Sequence, residues 1–155
     1  MAQTSTSIWR IVVLAFTIIG HGRQAGADAA GSPQSSLAHE AAYSRAQASE
    51  GQQVYQMKCT ACHLDSLAGG TNESPPLRGK HFLSNWDHKP LRALYSRIIT
   101  TMPSNDPGSL TEKQTLAVLA YLLEQNGFPL SNDGGFESAD SLNNVELSAP
   151  QSSSE

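Results

Sequence analysis

The chain has 155 residues, with ten Lys and Arg against fourteen Asp and Glu, a formal net charge of −4 and only two cysteines. An acidic chain without a basic stripe excludes nucleic acid as a partner, since nothing on it would neutralise phosphates. The length accommodates one compact domain with extensions at its ends.

Residues 1–27 have the three-part layout of an export signal: a polar start carrying Arg10, an apolar run from Ile11 to Ile19, and small residues ending in Ala25-Gly26-Ala27. The run falls short of the roughly 20 apolar residues that a bilayer span requires, and no later segment is apolar enough to span. A cleaved signal peptide is therefore expected, leaving a mature chain from Asp28 with no transmembrane span; in a bacterium such a chain works in the periplasm. Losing Arg10 and Arg23 with the signal leaves eight basic against fourteen acidic residues, a net charge of −6. Residues 28–43 are expected to form a flexible leader and residues 44–130 a single helical domain.

From Ser44 to Lys58 the chain lacks Pro and predicts a helix, with Gly51, Tyr55 and Cys59 four apart on one face. A glycine there lets another helix cross closely. The helix runs into Cys59-Thr60-Ala61-Cys62-His63, a C-x-x-C-H run. The two thiols of such a run can add across the vinyl groups of a haem while the adjacent imidazole takes the iron. Cys59, Cys62 and His63 are thus candidates for holding one covalent haem c. Export also permits a Cys59–Cys62 disulfide, but a pair at i and i+3 followed by His is better used on haem. A thioredoxin-like dithiol should follow a strand rather than a helix. A zinc site built from Cys59, Cys62, His81 and His88 would lack a standard second ligand pair and leave His63 unused.

The segment from Gly69-Gly70 through Pro75-Pro76 to Gly79 reads as loop, and His81 and His88 are placed in the same stretch between helices. The second helix begins near Pro90, which suits a first helical position because its missing N–H is not needed there. Leu91, Leu94, Tyr95 and Ile98 then form a buried stripe. The third helix opens at Thr111, with Gln114 completing a capping box, and closes before Gly127. Leu116, Leu119, Ala120 and Leu123 repeat the stripe. Residues 131–155 carry five acidic groups and no Lys or Arg amid Ser, Asn and Gly, a composition that predicts an acidic, disordered tail. The remaining domain is small enough that a buried prosthetic group would form much of its core.

Where haem iron has His/Met ligation, a thioether supplies the second axial ligand. Met1 leaves with the signal, and Met57 lies two residues before Cys59, too near along the same helix to reach the other haem face. Met102 remains, in the loop between the second and third helices, where Pro103 biases it toward extended backbone. His63 and Met102 are therefore the candidate iron ligands. A gap-filling Met102 is the alternative, and His39, His81 or His88 would offer a bis-His site.

These residues resemble the class I c-type cytochromes, and more narrowly the monohaem cytochromes associated with PQQ-dependent (quinoprotein) dehydrogenases. The resemblance runs from Glu50 to Pro129. It is carried by Gly51-Gln52-Gln53-Val54-Tyr55, the haem run, Pro75-Pro76-Leu77, Phe82-Leu83-Ser84-Asn85-Trp86, Arg97 through Pro103, Asn105 through Leu110, Ala120-Tyr121 and Asn126-Gly127-Phe128-Pro129. It implies an all-α, small cytochrome c fold of about three main helices wrapped around one haem c, the first and last crossing at Gly51. It implies a Pro75 carbonyl that accepts the His63 Nδ1 proton, and it makes Trp86 a candidate cofactor contact. The implied role is a periplasmic single-electron carrier, not itself an enzyme, with a dehydrogenase as donor and an oxidase or another cytochrome as acceptor. A fixed haem subunit of a dehydrogenase complex, or a five-coordinate haem enzyme or gas sensor, stands as the alternative. The tail after Pro129 is not part of the family pattern.

Overall fold

The computed structural model describes residues 43–70, 74–131 and 134–150. The expected signal peptide, His39 and all of the leader except Tyr43 lie outside the described residues. The described residues form α1 (Arg45–Lys58), α2 (Thr60–His63), α3 (Gly79–Trp86), α4 (Leu91–Thr101), α5 (Glu112–Gln125) and a 3-10 turn (Ala139–Leu142), with no named strand. The architecture is all-α, as expected, and among the described residues no helix is long and apolar enough to cross a membrane.

The helix ends follow local chemistry. Ser44 caps α1 by accepting from the Gln47 N–H, and at α5 Thr111 and Gln114 satisfy each other's backbone donors in a full capping box. Pro90 stands one place outside its expected position, as the N-cap of α4 rather than its first residue. The stripe Leu91, Leu94, Tyr95 and Ile98 is buried. α5 is buried from Thr115 to Leu123, far beyond one stripe, because other elements pack around it. Its main partner is α1, which crosses it at Gly51: a Cβ there would collide with the Ala117 carbonyl and stand 2.9 Å from the Tyr121 Cβ. One turn along α1, the Tyr55 and Tyr121 rings meet with centroids 5.3 Å apart.

Three expectations are corrected. Gly79–Trp86 is helix rather than loop: the Gly and Pro before it mask an i, i+4 pair, Phe82 and Trp86, whose rings lie 6.4 Å apart. Tyr43 belongs to the domain, not to a flexible leader; it is buried, and its hydroxyl donates to the Phe128 carbonyl at 2.5 Å. Residues 134–150 are no disordered tail. Phe136, Ala139, Leu142, Val145 and Leu147 are buried in the core cluster, and the segment pairs with the backbone of His88, Lys89 and Leu91 and with the Asp87 carboxylate. Average composition hid these regularly spaced apolar residues, which need long-range partners to be ordered.

Candidate cofactor site

The short α2 follows α1 directly, and the turn after it places His63 with its ring inward, 7% exposed. Leu64 turns the chain at φ 63°, ψ 159°, and the Tyr55 hydroxyl holds this turn by donating to the Leu64 carbonyl at 2.7 Å. Gly69, at φ 70°, lets the chain pass against Ser74–Pro76, where a Cβ would stand 2.8 Å from the Pro75 carbonyl carbon. His63 Nδ1 lies 3.0 Å from the Pro75 oxygen. A carbonyl can only accept, so Nδ1 carries the proton and Nε2 keeps its lone pair for a metal.

Cys59, Cys62, His63, Pro75, Trp86 and Met102, the six residues singled out from the sequence, all line one cavity of about 690 Å³. Met102 reaches it from the C-terminal end of α4, with the extended backbone expected of it (φ −119°, ψ 148°). Met57 touches the rim but is 71% exposed. His81 and His88 are exposed and do not line the cavity; His81 lies beside Asn85 and His88 beside Asp87 and Glu146. Burial pushes the Cys59 thiol from 9.0 up to about 11, with Cys62 adding to the effect. Reactive dithiols have depressed values instead, which weighs against the redox-dithiol reading.

Sequence reasoning did not single out several residues of this site. Lys58, Lys89 and Arg97 line the cavity against one carboxylate, Asp106, so an acidic chain gathers cationic groups there. The buried Asn126 donates to the carbonyls of Leu77 and Leu122 at 2.9 and 2.8 Å and accepts from the Gly79 N–H at 2.9 Å. It ties the end of α5 to the segment that follows Pro75. Asn126-Gly127 was legible as a helix stop, but the amide's partners lie 47 and 49 residues away in sequence.

The cavity fits a haem. Its volume falls within the roughly 300–1,000 Å³ of ligand pockets, Leu94, Ile98, Val118 and Leu122 give it an apolar wall, and its cations match a porphyrin's two carboxylates. Residues 46–122 match the family model described as cytochrome C oxidase, cbb3-type, subunit III. Among solved structures, the chain is similar to the sulfane dehydrogenase SoxCD from Paracoccus pantotrophus, at 21% identity over 84% of this chain and 68% of that one, with a TM-score of 0.48. No curated protein matches it. The matched stretch is just under half of the chain and contains the C-x-x-C-H run at Cys59–His63, which is consistent with a haem-based electron-transfer role.

Proposed function

We infer that the protein is an exported monohaem c-type cytochrome that carries single electrons between redox proteins. The observation that carries this reading is the placement of Cys59, Cys62, a Pro75-oriented His63 and Met102 around one cavity. Cys59 and Cys62 would hold the ring through thioethers, and His63 Nε2 and the Met102 sulfur would ligate the iron. Haem bound in this way supplies a one-electron iron couple, and a thioether ligand raises its potential. Pro75 fixes the His63 tautomer and raises the basicity of Nε2. Lys58, Lys89 and Arg97 would offset the propionate charge, and the apolar wall would exclude water. If both His63 and Met102 ligate the iron, no site would be left for a substrate at the metal, which favours a carrier over a five-coordinate enzyme or sensor.

The donor in this reading is a quinoprotein dehydrogenase and the acceptor a terminal oxidase or another cytochrome, met in the periplasm after signal cleavage. This rests on the ordered set of motifs from Glu50 to Pro129. A second reading, a fixed haem subunit of an oxidoreductase complex, is favoured by the family description, which names an oxidase subunit.

The test is the visible spectrum of the purified protein with and without carbon monoxide. The wild type should be low-spin and slow to bind the gas, and its haem should stay attached through denaturing electrophoresis. Met102→Ala should open the site to carbon monoxide and lower the potential, while Met57→Leu changes neither. Rapid carbon monoxide binding by the wild type, with Met102→Ala silent, would replace the carrier with a five-coordinate enzyme or sensor. Haem extracted from the wild type by acid acetone would remove the covalent assignment.

A further inference from the structure

The joint between α3 and α4 is gripped by a segment that lies beyond the family match. Val145–Leu147 runs antiparallel to His88–Leu91: the His88 N–H donates to the Leu147 carbonyl at 2.8 Å, the Leu147 N–H to the Lys89 carbonyl at 3.0 Å, and the Leu91 N–H to the Val145 carbonyl at 2.8 Å. Pro90, which has no N–H to offer, stands opposite Glu146. The Ala149 N–H adds a bond to Asp87 Oδ1 at 2.9 Å. Upstream, the Gln47 amide pairs both ways with the Phe136 backbone, Glu112 accepts from the Ala139 N–H, and Arg92 donates to the Ala139 carbonyl. The segment is thus fastened to α1, α5 and α4 as well as to the joint.

None of its residues lines the cavity, but the joint it holds carries Asn85, Trp86 and Lys89, which do. The Lys89 ammonium sits 5.4 Å from the Trp86 ring centroid. His88, between Asp87 and Lys89, has φ 57°, a conformation that non-glycine residues rarely adopt unless their surroundings impose it. Its N–H is the one that donates to the Leu147 carbonyl.

We propose that residues 134–150 are a positioning strap that holds Trp86 and Lys89 against the cofactor cavity and so sets the redox potential of the group bound there. The proposal rests on the cofactor reading above. The strap acts through the joint: it keeps the Trp86 wall dry and the Lys89 cation close. Releasing it would admit water and let the cation move away. Both changes favour the more positively charged ferric state, so both lower the potential.

The test uses full-length holoprotein. Leu147→Glu puts a carboxylate at a position 1% exposed, and Leu147→Ala is the milder variant if the first does not fold. Both should speed amide exchange at His88 and Leu91 by about tenfold or more while the α1 and α5 amides stay protected, and both should shift the potential downward. Lys89→Gln should also shift it downward, and by less in the Leu147→Ala background than in the wild type, because the two act through one contact. Unchanged potential and unchanged exchange at His88 and Leu91 would overturn the proposal. So would a loss of melting temperature with the Lys89→Gln shift intact in both backgrounds, the result of a purely structural strap. A wild-type protein lacking covalent haem would instead overturn the cofactor reading and, with it, the strap's effect on potential; exchange at the two amides would still report the grip on the joint.

Discussion

Replacing Gly51 by Ala sets two effects of opposite sign against each other in the middle of α1. On helix propensity alone the change should stabilise, since Gly costs about 0.8–1 kcal/mol relative to Ala in a helix interior. The crossing with α5 reverses this. The new Cβ would stand 2.9 Å from the Tyr121 Cβ and closer still to the Ala117 carbonyl. Carbon pairs settle at about 3.5–4.0 Å, so relieving the Tyr121 contact alone needs about 0.6–1.1 Å of separation. The Ala117 group is backbone and cannot rotate away. The helices must part, which loosens contacts along the most buried face of the molecule.

Overpacking of this kind costs about 1–3 kcal/mol, occasionally more, and the rigid backbone neighbour puts Gly51→Ala at about 3 kcal/mol, several times the propensity gain. Net of that gain about 2 kcal/mol remains, and at about 4–8 °C per kcal/mol for a domain of this size the melting temperature should fall by about 8 °C or more. Thermal denaturation of the holoprotein followed by far-ultraviolet circular dichroism measures this. A variant as stable as the wild type, or more so, would show that helix propensity decides at this position and that the crossing is not as tight as described.

Asn126→Ala leaves the Gly79 N–H and the Leu77 carbonyl without their partner, and should cost about 2 kcal/mol or more in a urea melt. Asn126→Asp should also destabilise, because it sets an oxygen against the Leu77 and Leu122 carbonyls, so an unshifted midpoint for either would refute the role given to this amide. Leu142→Ala, at a position 0% exposed in the strap, should cost about 2–5 kcal/mol; a melt identical to wild type would restore the dispensable tail that composition suggests. Burial pushes the Tyr43 phenol from 10.0 up to about 12, with Glu124 adding to it. Because the folded value is the higher one, the stabilisation is complete below pH 10 and is lost as pH rises through about 12. Tyr43→Phe should flatten that alkaline fall, and an unchanged profile would remove Tyr43 as its cause.

What could be read from the sequence divides by the range of the interaction that orders each residue. The haem run is contiguous, the capping box at Thr111 and Gln114 spans three residues, and the stripes of α4 and α5 repeat every three or four, so each is visible in a short window. Cys59, Cys62, His63 and Met102 were candidates for the same reason, each being marked by its neighbours, as Met102 is by Pro103, whereas Pro75 and Trp86 came from the family resemblance. α3 was missed because punctuation by Pro75, Pro76 and Gly79 outweighed a single i, i+4 aromatic pair, and only burial of Phe82 makes that pair decisive.

The strap was missed for a different reason. Its donors and acceptors meet partners 89 residues away at Gln47 and 62 residues away at Asp87. A window of Ser, Asn and Asp contains no trace of those partners, so composition counted the unfavourable ordering entropy and none of the bonds that offset it. Yet Phe136, Leu142, Val145 and Leu147 are too apolar for a solvated tail of that length, and this was the available signal. The same nonlocality separates two kinds of site residue. Cys59, Cys62, His63 and Met102 would hold the cofactor and announce themselves locally, whereas Asn126 and the strap act on it through loops and joints, and become legible only when the chain has brought distant segments together.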